Sequence, residues 1–167
     1  DHRDLHSFPT RRSSDLSWTD PSLSDFERPL NERGRRAAPF MGGVLKREGL
    51  IPDHIICSPA KRTKETAELV QAAVELDLDI GNDARIYEAT AGELIDVVSE
   101  MRETSSRALL IGHNPSSEQF LQIITGAIEA MPTAALAVID LEIGSWAEIA
   151  PSTGTLRRLF RPKEEMR

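Results

Sequence analysis

With a single cysteine, Cys57, the chain has no intramolecular disulfide available to it, and the place of that cysteine in an apolar run predicts a buried thiol. No apolar stretch is long enough to span a bilayer, and the basic N-terminus lacks the apolar core of a signal peptide, so the expectation is a cytoplasmic protein with no membrane partner. Positive charge is also in deficit. A net charge of -7 argues against a nucleic-acid binder, which needs a basic face to neutralise phosphates. No Gly-rich loop ends in Gly-Lys-Ser/Thr, which excludes a P-loop nucleotidase or kinase. His54 and His113 stand apart from any carboxylate or histidine cluster, so neither a metal nor another cofactor is expected.

What is there is one domain's length of chain, 167 residues, with the hydrophobic and charged fractions of a globular protein. Two short apolar runs, His54-Ile55-Ile56-Cys57 and Ala108-Leu109-Leu110-Ile111, each close on a polar motif. The first is Ser58-Pro59-Ala60-Lys61-Arg62-Thr63 and the second Gly112-His113-Asn114-Pro115. Each then opens a segment of helical periodicity, and in an open parallel α/β sheet that junction is where ligands bind. Ser58 reads as an N-cap with Pro59 at the first helical position, which aims free backbone N–H groups at any anion above the strand. Arg62 adds a bidentate fork of donors, and His113 meets the anion from the neighbouring strand. Either motif alone is ordinary capping or a structural histidine. Their pairing, with a third element Arg28-Pro29-Leu30-Asn31-Glu32-Arg33-Gly34, is what points to a phosphate site.

These three motifs, in this order and spacing, resemble the SixA-type branch of the histidine phosphatase superfamily from about Ser17 to the C-terminus. The resemblance implies a three-layer α/β/α sandwich of phosphoglycerate-mutase type with a mostly parallel sheet. It also implies phosphoryl binding by Arg28, Arg62 and His113. Relatives attack the phosphoryl group with a histidine from an Arg-His motif at the end of the first strand, forming a phosphohistidine that water then hydrolyses.

That histidine is missing here. The resemblance to relatives whose loop carries Ser-Trp-x-Asp, as Ser17-Trp18-Thr19-Asp20 does here, implies a nucleophile near position 13, where Ser13 stands, with Arg12 where the family's first arginine would be as a weaker phosphate ligand. A serine needs an adjacent base to act in its stead. His6 lies several residues out of register. Residues 1–16 also read poorly as a buried strand, offering only Leu5, Phe8 and Leu16 as large apolar groups around Pro9. The run His6-Ser-Phe-Pro-Thr-Arg-Arg-Ser-Ser-Asp-Leu16 is what one frame of a sequencing-adapter oligonucleotide ending CTCTTCCGATCT encodes. The expected organisation is therefore a non-native segment over 1–16 and a single phosphatase-like domain over 17–167. A sheet deprived of its first strand would expose backbone and apolar surface at its middle and be poorly soluble.

Periodicity predicts helices over Asn31–Glu48, Pro59–Leu76, Ala91–Met101 and Ser116–Thr125. It predicts strands at His54–Cys57, Arg85–Tyr87, Ala108–Ile111 and Ala134–Glu142, and further β segments at Ser145–Ala150 and Thr155–Phe160 added at one edge. The phosphoryl oxygens need cationic donors more than acids, so Arg28 and Arg62 form the expected clamp, with a protonated His113 beside them. Glu88, after Tyr87, is the candidate proton donor, against the alternative of a solvated loop carboxylate. The short connection before Ala91 leaves no room for a large inserted cap, so the cleft should be open to a side chain on another protein. The partners expected are a phosphohistidine-bearing protein or a small phosphorylated substrate, and the oligomeric state is left open. Three functions are consistent with these features: a phosphohistidine phosphatase whose N-terminus is damaged as written, a non-catalytic phospho-ligand-binding protein, and a small-molecule phosphomonoesterase.

Overall fold

The run Arg107–His113 is buried over its last six residues, which only a strand covered on both faces can tolerate, and it forms an inner strand of the sheet. The computed structural model describes residues 3–10 and 22–167. In chain order these form β1 (Arg3–Thr10), α1 (Glu32–Arg47), β2 (His54–Cys57), α2 (Lys61–Val74), β3 (Ile80–Asn82) and α3 (Ala91–Ser99). There follow β4 (Arg107–His113), α4 (Ser116–Thr125), β5 (Leu136–Leu141), β6 (Gly154–Phe160) and a one-turn α5 (Pro162–Glu165). The six strands lie in the order β3-β2-β4-β1-β5-β6, parallel from β3 to β1, with β5 running antiparallel to both of its neighbours β1 and β6.

Two apolar layers sandwich the sheet, in the three-layer arrangement that the resemblance implies. On one face Ala38, Met41 and Leu45 of α1 and Ala67 and Val70 of α2 pack on Phe8, Ile55, Leu109 and Val138. On the other, Leu94 and Val98 of α3 and Phe120 and Leu121 of α4 pack on Leu5, Leu110 and Ile139, with Trp146 closing the layer. Gly42 sets the spacing of α1 and α2, because a Cβ there would stand 2.7 Å from that of Ala73 and 3.0 Å from the carbonyl of Val70. Cys57 is buried and free, and burial pushes its thiol up to about 11.

Several boundaries differ from those the sequence predicts. Asn31 is the N-cap of α1 rather than its first residue, its side chain accepting from the Gly34 N–H at 2.8 Å. α2 begins at Lys61 with Ala60 at the cap position, and the Ser58 hydroxyl, two residues before it, accepts from the Ala60 N–H at 3.2 Å. α2 stops at Val74 because Glu75 turns left-handed, and α3 stops at Ser99. The edge strand after α2 is Ile80–Asn82, whereas Ala84–Ile86 is a 3₁₀ turn capped by Asp83. Likewise Trp146–Glu148 is a 3₁₀ turn with a Ser145–Glu148 capping box, not a strand.

The largest correction concerns the N-terminus. Arg3–Thr10 is a central strand, pairing β4 from Asp4↔Arg107 to Thr10↔His113 and β5 from Arg3↔Leu141 to Ser7↔Ala137. Main-chain hydrogen bonds carry this pairing, and Leu5 and Phe8 provide one core residue for each face. Pro9 is tolerated because its ring nitrogen faces β5 beyond the end of that ladder; its carbonyl accepts from the Ala134 N–H at 3.1 Å. The misfit appears in the side chains instead. His6 and Ser7 are buried, one against each layer, and His6 Nδ1, His6 Nε2 and Ser7 Oγ have no hydrogen-bond partner.

Candidate phosphate site

The carboxyl ends of β2 and β4 lie side by side, with Cys57 opposite Ile111, so the motifs that follow them meet. Arg62 stands in the first turn of α2 and is 1% exposed. Its helix entry is fixed by Thr63, whose hydroxyl donates to the carbonyls of Ser58 at 2.8 Å and Ala60 at 2.7 Å. His113, the last residue of β4, is held by its carbonyl, which accepts from the hydroxyls of Ser116 at 2.8 Å and Ser117 at 2.9 Å. Gly112 before it allows the strand to pass close to the 3₁₀ turn, since a Cβ would come within 3.2 Å of Ile86.

Arg62 Nη2 lies 3.2 Å from His113 Nδ1. A guanidinium only donates, so Nδ1 accepts and the ring proton sits on Nε2. The expectation of a protonated His113 concerned the phosphate-loaded site. In the geometry described, the ring is the neutral Nε2–H tautomer.

A residue the sequence reading passed over joins the cluster. Asp25 accepts from Arg62 Nη1 on its backbone carbonyl at 2.7 Å and from Arg62 Nη2 on its carboxylate at 3.2 Å. The same carbonyl accepts from the Arg28 backbone N–H at 3.3 Å, so Arg28 and Arg62 are tied to one turn. Tyr87 donates its hydroxyl to the Asp25 carboxylate at 2.7 Å. Its ring stands edge-on to His113, 5.5 Å between centroids, and to Phe26 at 5.1 Å. Burial first, then the Asp25 carboxylate, pushes the Tyr87 hydroxyl up to about 12, so it remains a donor. The turn docks on α2 through the Phe26 carbonyl, which accepts the Lys61 N–H at 3.0 Å. The signal for Asp25 was its place three residues before Arg28, and for Tyr87 its being the chain's one tyrosine.

The remaining candidates are placed less centrally. Glu88 follows Tyr87 at a φ of 54°, and its charge adds to the upward push on the Tyr87 hydroxyl. Arg12, Ser13 and the Ser17-Trp18-Thr19-Asp20 segment lie outside the described residues. The strand register sets Thr10, not Ser13, opposite His113. Among the described residues no group of histidine, cysteine or carboxylate side chains is arranged to hold a metal, and no helix is long and apolar enough to cross a membrane. A cavity of about 480 Å³ opens at the other end of the sheet, but its charges are spent on one another, with Arg107–Asp4 at 2.8 Å and Arg157–Asp140 at 2.9 Å.

Buried cationic and imidazole donors converging at two parallel strand ends can grip a phosphoryl group. A family profile, Histidine phosphatase superfamily (branch 1), matches residues 22–133, which include Arg28, Arg62 and His113. The chain belongs to the histidine phosphatase superfamily. Among similar proteins, Uncharacterized protein Rv1276c of Mycobacterium tuberculosis is 28% identical over 153 residues, 84% of this chain and 93% of its own length. The protein histidine phosphatase SixA complexed with tungstate superposes with a TM-score of 0.78 at 20% identity, covering 96% of this chain and 98% of that one. Mycobacterial glucosyl-3-phosphoglycerate phosphatase Rv2419c does so with a TM-score of 0.63 at 13% identity, covering 93% and 96%. At such identities the likeness to solved structures is one of fold, and it is the phosphoglycerate-mutase-like fold of histidine phosphatases. Superfamily membership makes this a phosphatase scaffold.

Proposed function

We propose that residues 17–167 are the body of a phosphohistidine phosphatase of SixA type, in which Arg28, Arg62 and His113 hold the phosphoryl group of a protein-borne phosphohistidine. The observation that carries the reading is the buried 3.2 Å contact between Arg62 and His113 at adjoining strand ends. An open cleft supports a protein substrate, since only a three-residue strand and a 3₁₀ turn separate α2 from α3, which among the described residues leaves no inserted cap between them. Arg62 and Arg28 neutralise the non-bridging oxygens, and His113 offers its Nε2 proton to the same group. In the complete reaction, a histidine at the end of β1 attacks phosphorus, the bond to the substrate imidazole breaks, and that imidazole leaves with a proton. Water then attacks the enzyme phosphohistidine and releases inorganic phosphate. A protonated imidazole leaves readily, which reduces the demand on an enzyme acid such as Glu88.

The chain as written lacks that nucleophile, and we attribute the loss to adapter sequence read over residues 1–16. His6 and Ser7, buried without partners, support this: a strand native to this position would bring apolar groups there. The test is a chimera in which residues 3–13 are replaced by an apolar strand ending in Arg-His at positions 12 and 13. The chimera should release phosphate from a phosphohistidine peptide and form an acid-labile phosphoenzyme, while the chain as written does neither. Turnover of p-nitrophenyl phosphate alone would make it a small-molecule phosphomonoesterase. Retention of the peptide without turnover would make it a phospho-ligand-binding protein.

A further inference from the structure

A second anion-seeking feature lies outside the clamp. Arg33 and Arg36 on the first turns of α1 and Lys163 on α5 line one groove of about 400 Å³. Its floor is apolar, from Ala37 and Pro162, and Met166 forms a wall that is 45% exposed. Most arginines elsewhere are spent in ion pairs, such as Arg3–Glu103, Arg85–Asp83 and Arg161–Glu129. Arg36 and Lys163 are both exposed, and neither has an ion-pair partner among the described residues. The carboxylates that follow Lys163 in sequence are turned elsewhere, Glu164 to Arg161 at 3.8 Å and Glu165 to Arg47 at 3.1 Å. On a protein of net charge -7, Arg36 and Lys163 are a local pair of positive charges without an ion-pair partner among the described residues.

The groove opens at the same end of the sheet as the clamp. The Arg28-Pro29-Leu30 segment leads directly into α1, so Arg33 follows Arg28 by a little over one turn of chain. Thr133, also on the groove wall, precedes Ala134, whose N–H bonds to Pro9 next to the residue that pairs with His113.

We propose that this groove docks an acidic segment of the substrate protein flanking its phosphorylated histidine, an inference that rests on the phosphohistidine reading. A lone phosphate has no use for an apolar floor. A peptide bearing Asp and Glu matches both components, its carboxylates on the cations and its methylene groups on Met166 and Pro162.

The test measures binding, which needs no nucleophile. Peptides carrying a non-hydrolysable phosphohistidine analogue, with acidic or neutral flanks, are titrated into the full chain at low salt. The acidic flank should tighten binding by roughly five- to twentyfold. That advantage should fall to within about twofold in R36Q/K163Q and invert in R36E/K163E, while tungstate affinity stays unchanged as a check on folding and on the clamp. An acidic advantage of equal size in the variants overturns the proposal. Failure of both phosphopeptides to bind sinks the phosphohistidine reading alone, because an unphosphorylated acidic peptide still reads the groove. Its binding, lost in R36Q/K163Q, upholds the docking surface, and its failure to bind overturns it. Capture of the chain by anionic vesicles, lost in the same variant without any gain for acidic peptides, assigns the groove to a lipid surface instead.

Discussion

Asp25 sets the electrostatics of the site residue by residue. Its carboxylate accepts from both Arg62 and Tyr87, so each of those donors is held where a phosphoryl oxygen can replace or join it. Because Tyr87 is the chain's one tyrosine, its ionisation can be followed by absorbance without interference from another. The hydroxyl stands near 12 from burial first and Asp25 second. In Asp25→Asn the negative neighbour is gone and the phenolate is easier to form, so the titration should move down toward the ordinary tyrosine value without reaching it, since the burial remains. An unmoved titration would show that the contact does not persist in solution. Arg62 offers two charge-assisted bonds to an anion, and Arg62→Ala should weaken tungstate binding about a hundredfold. Arg62→Lys should recover only part, because a point charge replaces a planar fork.

Among the elements, β1 is the one whose side chains disagree with its position. Burial lowers the His6 imidazole to about 4, against 6.5 in the unfolded chain. The folded protein therefore refuses a proton that the unfolded chain accepts. Stability is whole above pH 6.5, declines as pH falls from there to about 4, and loses roughly 3 kcal/mol over that window. His6→Leu should flatten the decline and add about 1 to 3 kcal/mol at neutral pH by removing buried groups without partners. Urea unfolding across that pH range measures both; a slope identical in the two proteins would mean His6 is not buried. Sequence reading failed at this strand for a definable reason. It judged Asp1 to Leu16 by side-chain pattern, whereas a slot walled by β4 and β5 is filled through main-chain bonds that no pattern reports. The helices were legible because Met41, Leu45, Leu94 and Phe120 repeat at helical spacing, and their ends were less so because Glu75 ends α2 by backbone conformation alone. Arg62 and His113 were legible from the motifs that carry them. Asp25 was not, because its partners are 37 and 62 residues away.

For the molecule as a whole, β1 is shared between the two cores, since His6 faces the α1 and α2 layer and Ser7 the α3 and α4 layer. The faces are thus expected to melt together. His6→Leu and Ser7→Val, on opposite sides, should raise one and the same transition, by about 2–4 °C for each kcal/mol gained. Two separable transitions in calorimetry would show that the layers unfold independently. Filling of the slot also removes the reason to expect an open sheet, so on the proposed reading the loss is one of chemistry and some stability, with the architecture kept. The side chains proposed to hold the anion, Arg28, Arg62 and His113, and Asp25, which bonds to Arg62, all come from outside β1. The body therefore works as a chassis and the strand as an exchangeable cartridge. On the proposed reading, that one ribbon would decide whether the same grip ends in hydrolysis or in capture, and a synthetic library confined to it would explore nucleophiles without disturbing the hold on phosphate.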